Sequence, residues 1–308
     1  ACEPVGPDAA EPSSLGLDAV EPPLLRPRDG LLADATLQSV VDLQIQRDGT
    51  ALAAMLMHKR ADVRARAALA LASVQAGEAL SPLLAAASRD TDAHVRRDAA
   101  FAVGQLGRAS SVSGLAAAFE AESDARVRDR ILEALGKIGS PEATTALLSV
   151  DVTAAEEGRR ALALSVNGAV KGVQSQEAQD FLLARLDDRD AAVRTGAAYY
   201  FGRQGNPSFW FPHIAQIRNA LGDYRRDDPA AMHLVQALGV AREVSDTERL
   251  ADWAGSATDW RIRSNAMVAL AGRALDSAAQ DALMAGLDDA SEHVAMNAAT
   301  ALGGSPQP

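Results

Sequence analysis

Val95-Arg96-Arg97-Asp98-Ala99-Ala100-Phe101-Ala102-Val103-Gly104 is followed, 32 residues on, by Val127-Arg128-Asp129-Arg130-Ile131-Leu132-Glu133-Ala134-Leu135-Gly136. Both stretches open on a β-branched residue and arginine. Both place small or apolar residues at the fifth and sixth positions and close on an Ala-Leu-Gly type triplet. Apolar spacing of i, i+4, i+5, i+8 is one face of an α-helix. Two helices of identical pattern at this separation are the mark of a stacked array rather than of a single globular core.

Working outward, the pattern recurs from Val63-Arg64 to Val294-Ala295, passing through Val193-Arg194 and Ile262-Arg263 and through two degenerate copies at Gly158-Arg159 and Ala230-Ala231. The steps between first positions are 32, 32, 31, 35, 37, 32 and 32 residues. A second helix is expected between successive copies, as at Ala143–Leu148 and Phe181–Leu186. Ser140-Pro141 supplies a cap and a first-turn proline for one of these. The glycine that closes many copies reads as a helix C-terminal residue. Asp34–Arg47, with Leu37, Val41 and Ile45 on one stripe, adds a helix ahead of the first full copy.

The signature, an aspartate followed by Val-Arg, small residues and Ala-Leu-Gly, resembles the HEAT-repeat family, in particular its short bacterial form named after phycobilisome lyases. The resemblance covers about residues 34–303. It implies an all-α fold, a right-handed α-solenoid of about eight two-helix repeats, and a binding scaffold rather than an enzyme, with a protein partner on the concave face. It does not name that partner, because one repeat fold serves many kinds of binding. Two alternatives stay open. One is an accessory domain of a larger enzyme such as a cyclophilin-like prolyl isomerase; the other is a lyase-type chromophore chaperone.

Composition bounds the function further. Aromatics are 4% of the 308 residues and alanine is abundant, which suits closely packed helices. The net charge of −11 argues against nucleic acid, whose binding needs lysine and arginine to neutralise phosphates, and leaves basic partners or plain solubility as its reading. Lysine occurs only at positions 59, 137 and 171. No metal-ligand spacing joins the five histidines, and no phosphate loop or nucleophile motif is apparent, so no cofactor or metal is expected.

Domain boundaries fall at a Pro-rich extended leader over 1–30, the solenoid over 31–304 and a tail over 305–308. Six of the thirteen prolines lie in the leader. Ala1-Cys2 reads as the end of a bacterial lipoprotein signal, with Cys2 the lipidated residue and the leader a tether. That reading sets the protein at the periplasmic or outer face of a bacterial membrane, held through an N-terminal lipid. The other reading is an alanine start left by methionine removal on a cytoplasmic protein. Gly303–Pro308 reads as a linker.

The repeated charges point to structure. Asp92, Asp124, Asp190 and Asp259 stand three residues before the β-branched position, where they can cap helix starts. Arg64, Arg96, Arg128, Arg194 and Arg263 stand one after it, where a planar donor fork can bond an acid or a loop carbonyl of the next repeat. A site belongs where repeats differ. Seven of the twelve aromatics fall between 199 and 224, beside the longest steps. Tyr200 and Phe201 occupy core positions. Tyr199 occupies a variable one, in a row with Leu164, Gln236 and Val268. Tyr199, Arg203, Trp210 and His233 are therefore the candidate partner-binding patch.

Overall fold

The structure, a computed structural model, describes residues 34–304. The leader, the lipidation candidate Cys2 and the tail lie outside the described residues. Seventeen α-helices and no strand occupy the described residues. They are α1 Ala35–Gln46, α2 Gly49–Met55, α3 Ala61–Val74, α4 Leu80–Arg89, α5 Ala93–Leu106, α6 Val112–Ala121, α7 Ala125–Ile138, α8 Pro141–Ser149 and α9 Glu157–Ser165. After a π-helical turn at Val166–Val170 come α10 Gln176–Leu183, α11 Ala191–Arg203, α12 Ile214–Asp223, α13 Ala231–Ala241, α14 Thr247–Ser256, α15 Trp260–Leu270, α16 Ser277–Gly286 and α17 Glu292–Gly304.

Odd-numbered helices pack on one another in sequence from α1 to α17, and even-numbered helices form a second layer against them. Eight helix pairs, α2/α3 through α16/α17, make an α-solenoid, and α1 adds one more helix to the odd layer. Leu83, Leu115, Leu147 and Leu182 of the even layer and the Ala-Leu pairs of the odd layer close the interface between layers, all of them buried except the terminal Leu302, which is half-buried. Each such leucine contributes about 2 kcal/mol of burial.

Helix starts follow the sequence closely. Asp92, Asp124, Asp190, Asp259 and Asp276 each accept a backbone N–H of their own first turn, and Ser140 does so ahead of Pro141. Helix ends do not follow the expectation. Gly104, Gly136, Gly202 and Gly239 lie inside their helices; α1, α3, α5, α7 and α13 close on left-handed Arg47, Gln75, Gly107, Gly139 and Arg242 instead. The glycines of the triplet serve a different purpose, which is close approach. A Cβ on Gly104 would stand 2.7 Å from the Ala134 Cα, and one on Gly136 2.7 Å from the Ala163 carbonyl oxygen. Backbone-to-backbone contact of this kind recurs along the odd layer, at Gly202 against His233 and Gly239 against Ala269 as well.

Two registers also differ from the sequence reading. In α1 the buried stripe is Leu37 and Val40, while Ile45 is exposed, because the helix lays an i, i+3 edge rather than an i, i+4, i+8 edge on α3. In α9 burial falls on Ala161, Ala163, Leu164 and Ser165. The repeat therefore begins at Glu156, two residues before the expected Gly158. The π-helical turn after α9 absorbs the displacement, and the Asn167 side chain is buried against Thr144 and Ser140.

Candidate functional site

The arginine row runs between repeats. Arg64 donates both arms of its fork to Asp90 at 2.7 and 2.8 Å, and Arg96 does the same to Glu122 at 2.6 and 2.9 Å. Arg128 bonds Glu156 at 2.6 and 3.1 Å, Arg263 bonds Asp289 at 2.7 and 2.9 Å, and Arg194 bonds Asp228. The same guanidiniums reach backbone carbonyls behind them, those of His58, Asp90, Asp188 and Ala257 in the connections and of Phe119 in the last turn of α6. The receiving acids are not the capping aspartates. They are a second set, each of which also holds its own turn: Asp90 accepts from the Asp92 N–H and Asp289 from the Ser291 N–H. The signal for them is spacing, since Asp90, Glu122 and Asp289 each stand 26 residues after their arginine.

Burial raises the carboxyls of Asp90, Glu122 and Glu156, and the arginine fork with backbone N–H donors more than reverses it, leaving all three below the usual carboxylate range. At Asp289 the Arg263 fork dominates and the outcome is the same.

The candidate patch divides. Tyr199 of α11 stands edge-on to the His233 ring of α13, 5.1 Å between centroids, and the Arg203 guanidinium lies 5.5 Å from the Tyr199 centroid. Three of the four residues thus form one cluster across two repeats. His233 is its buried floor; Arg203 is exposed and Tyr199 half-buried. Desolvation, aided by the Arg203 charge and opposed by a contact with Gln236, holds the His233 imidazole below its ordinary value, so it is neutral at neutral pH. Gly202 makes the contact possible, since a Cβ there would stand 2.6 Å from the His233 carbonyl oxygen.

Trp210 does not join them. It is fully buried, edge-on to Phe201, and fills the gap left by the long connection between α11 and α12. Tyr200 and Phe201 are buried beside it. Leu164 is likewise buried; the two-residue shift in α9 brings Leu162 into the row of Tyr199 instead.

Leu162 and Tyr199 wall an open groove of 510 Å³ on the free face of the odd layer. Its floor is small, with Gly158, Gly196 and Ala192 in near-backbone contact. Asp129, Arg159 and Thr195 add polar groups to its edge. An aromatic, an exposed guanidinium and a flat floor suit an extended chain laid across several helices.

A family model described as HEAT repeats matches residues 50–131 and again residues 80–167, which is α2 through α9 with the start of the turn that follows. Residues 50–167 match HEAT repeats, and the helix pairs on either side continue the same α-solenoid. Among solved structures, the array is similar to the complex of CpcE and CpcF of phycocyanin lyase from Nostoc sp. PCC7120, at 20% identity and a TM-score of 0.44, covering 83% of this chain and 93% of that one. It is also similar to human deoxyhypusine hydroxylase in complex with glycerol, at 20% identity and a TM-score of 0.38, covering 87% and 98%. No curated protein matches the HEAT array in sequence.

Proposed function

We propose that this HEAT array is a non-catalytic scaffold that holds a protein partner along its concave face, anchored at Tyr199, Arg203 and His233. The observation that carries the reading is the groove that Tyr199 borders, with Arg203 and His233 packed on the Tyr199 ring; it crosses α7, α9 and α11 and reaches Pro229 ahead of α13, with a floor of glycine and alanine. Rigid aromatic and arginine side chains beside a flat surface are the residue types that dominate interface energetics. Binding is favoured over catalysis because the repeated acids and arginines are committed to helix caps and inter-repeat bonds. Capture of partners from native lysate by the full chain and by a Tyr199→Ala/Arg203→Ala variant tests this. Loss of partner with an unchanged melting temperature is expected; equal recovery refutes the anchor.

The reading extends to a membrane-tethered subunit or assembly factor of a bacterial envelope complex. Ala1-Cys2 followed by a Pro-rich acidic stretch supports that extension. Mass spectrometry of the N-terminus of protein taken from its own cells should find a lipidated Cys2; an unmodified cysteine removes the tether.

A further inference from the structure

The free face of the odd layer holds more basic than acidic side chains, against the balance of the whole molecule. Counted from the buried residue that opens each repeat (Val63, Val95, Val127, Glu156, Val193, Ala230, Ile262 and Val294), the second, third and sixth following positions face the groove, as Asp129, Arg159, Leu162, Thr195 and Tyr199 do, and the tenth follows one turn on. Across the eight repeats those positions hold six basic side chains, Arg66, Arg97, Arg130, Lys137, Arg159 and Arg203. They hold three acidic ones, Asp98, Asp129 and Glu133, and two more acids, Asp62 and Asp92, line the same depression as Arg66 and Arg97. The whole chain has a net charge of −11, so the excess acid lies elsewhere.

The pairing sharpens the contrast. Arg97 is neutralised by Asp98 at 2.7 Å, while Arg130 and Lys137 share the single Glu133 at 2.8 and 2.6 Å. Both of those cations also lie against the Phe101 ring, 5.2 and 4.9 Å from its centroid. Arg66, Arg159 and Arg203 have no carboxylate partner among the described residues, in a molecule whose ladder arginines are each held by one. Arg66 is half-buried with a single side-chain acceptor, Gln44 Oε1 at 2.5 Å. A guanidinium kept out of water without a counter-charge gains when one arrives. Beyond α11 the same four positions in α13, α15 and α17 carry no formal charge, and Val268 and Met296 are exposed there.

We infer that this free face from α3 to α11 takes an extended acidic segment of a protein partner, its carboxylates meeting Arg66, Arg159 and Arg203. This rests on the docking reading above and adds the partner's chemistry to it. Four inter-helix steps of about 9 Å make a track of about 36 Å, which about eleven extended residues span at about 3.3 Å each. A nucleic acid would find the same arginines. The acids interleaved with them and the negative field of the whole molecule disfavour a long polyanion over a short acidic segment.

Fluorescence anisotropy with the full chain tests the assignment. The probes are labelled pools of about twelve-residue peptides, one of Asp, Glu, Leu, Val and Gly, the other with Lys and Arg replacing the acids, and an oligothymidylate of similar length. The acidic pool should bind at least about tenfold tighter than either rival. An Arg159→Ser/Arg203→Ser variant, folded by circular dichroism, should lose about tenfold or more, which is about 1.4 kcal/mol. Equal or tighter binding of the basic pool, tighter binding of the oligonucleotide, or an undiminished variant overturns the inference. A partner still captured through Tyr199 whose bound segment proves basic would overturn the acidic assignment and leave the docking reading standing. Capture independent of Tyr199 and Arg203 would remove the docking reading itself.

Discussion

Arg128 gathers the inter-repeat bonds into one side chain. Its fork holds Glu156, its guanidinium lies 3.8 Å from the Phe119 ring centroid, and it donates to the carbonyls of Phe119 and Asp151. Glu156 is buried, so Arg128→Ala leaves a carboxylate without its partner and should cost about 3 kcal/mol. Urea unfolding reads this directly, and an unchanged midpoint would remove the link. The sign with pH follows from the lowered carboxyls of Asp90, Glu122, Glu156 and Asp289. Their folded values lie below the unfolded value of about 4. They therefore contribute stability above that pH, and the contribution is lost as pH falls through the lower folded values. Thermal melts should stay level from neutral pH to about 5 and fall below about 4. The Arg128→Ala deficit should shrink over the same fall, because protonation relieves the stranded Glu156. The arginines and the capping aspartates were legible in the sequence because each recurs in register. Their true partners were not, since Glu122, Glu156 and Asp228 differ in residue type or in distance along the chain. Tyr199, Arg203 and His233 were legible because repeats place them on adjacent rows. Trp210 was not, because an aromatic in an insertion gives no sign of which way it points.

Among the helices, one residue type has two opposite roles. Alanine is preferred over glycine inside a helix by about 1 kcal/mol. At Gly222 of α12, where an added Cβ meets nothing within 4 Å, Gly→Ala should stabilise by about 0.5 kcal/mol. At Gly104 the added Cβ would press on the backbone of Ala134 at 2.7 Å, and overpacking of about 2 kcal/mol outweighs the propensity gain. Gly104→Ala should therefore lower the melting temperature while Gly222→Ala raises it. The same sign for both would mean that helix spacing in the odd layer is not set by its glycines. Sequence periodicity places these glycines correctly and misreads their purpose, because a helix end and a helix crossing both favour a missing Cβ. The two-residue shift in α9 was hidden for a related reason: a run of Arg, Ala and Leu fits two registers, and only the buried Glu156 decides between them.

Across the molecule, stability is unevenly spread. The buried side-chain nitrogens and oxygens without a partner, among the described residues, belong to Arg160, Gln179, Gln204, Trp210, Arg226 and Thr247. Each such atom costs about 1–3 kcal/mol. All of them fall in the stretch that also holds the π-helical turn and the candidate anchor. A linear array opens locally where its own contacts are weakest. Amide hydrogen exchange should be at least about tenfold faster in α9–α11 than in α5 and α7 under native conditions. Equal protection would show that the irregular centre is as tightly held as the regular repeats.

The arginine links differ in reach. Three span 26 residues, while those that enter the irregular centre span 28 and 34. A bond that closes over a constant count of residues behaves as an interchangeable coupling. A tandem copy of residues 93–124 would bring its own arginine, receiving acid and capping aspartate, and would present unchanged couplings at both ends. Such a chain could grow by duplication in whole units, each adding one more rung of surface, with no compensating change elsewhere.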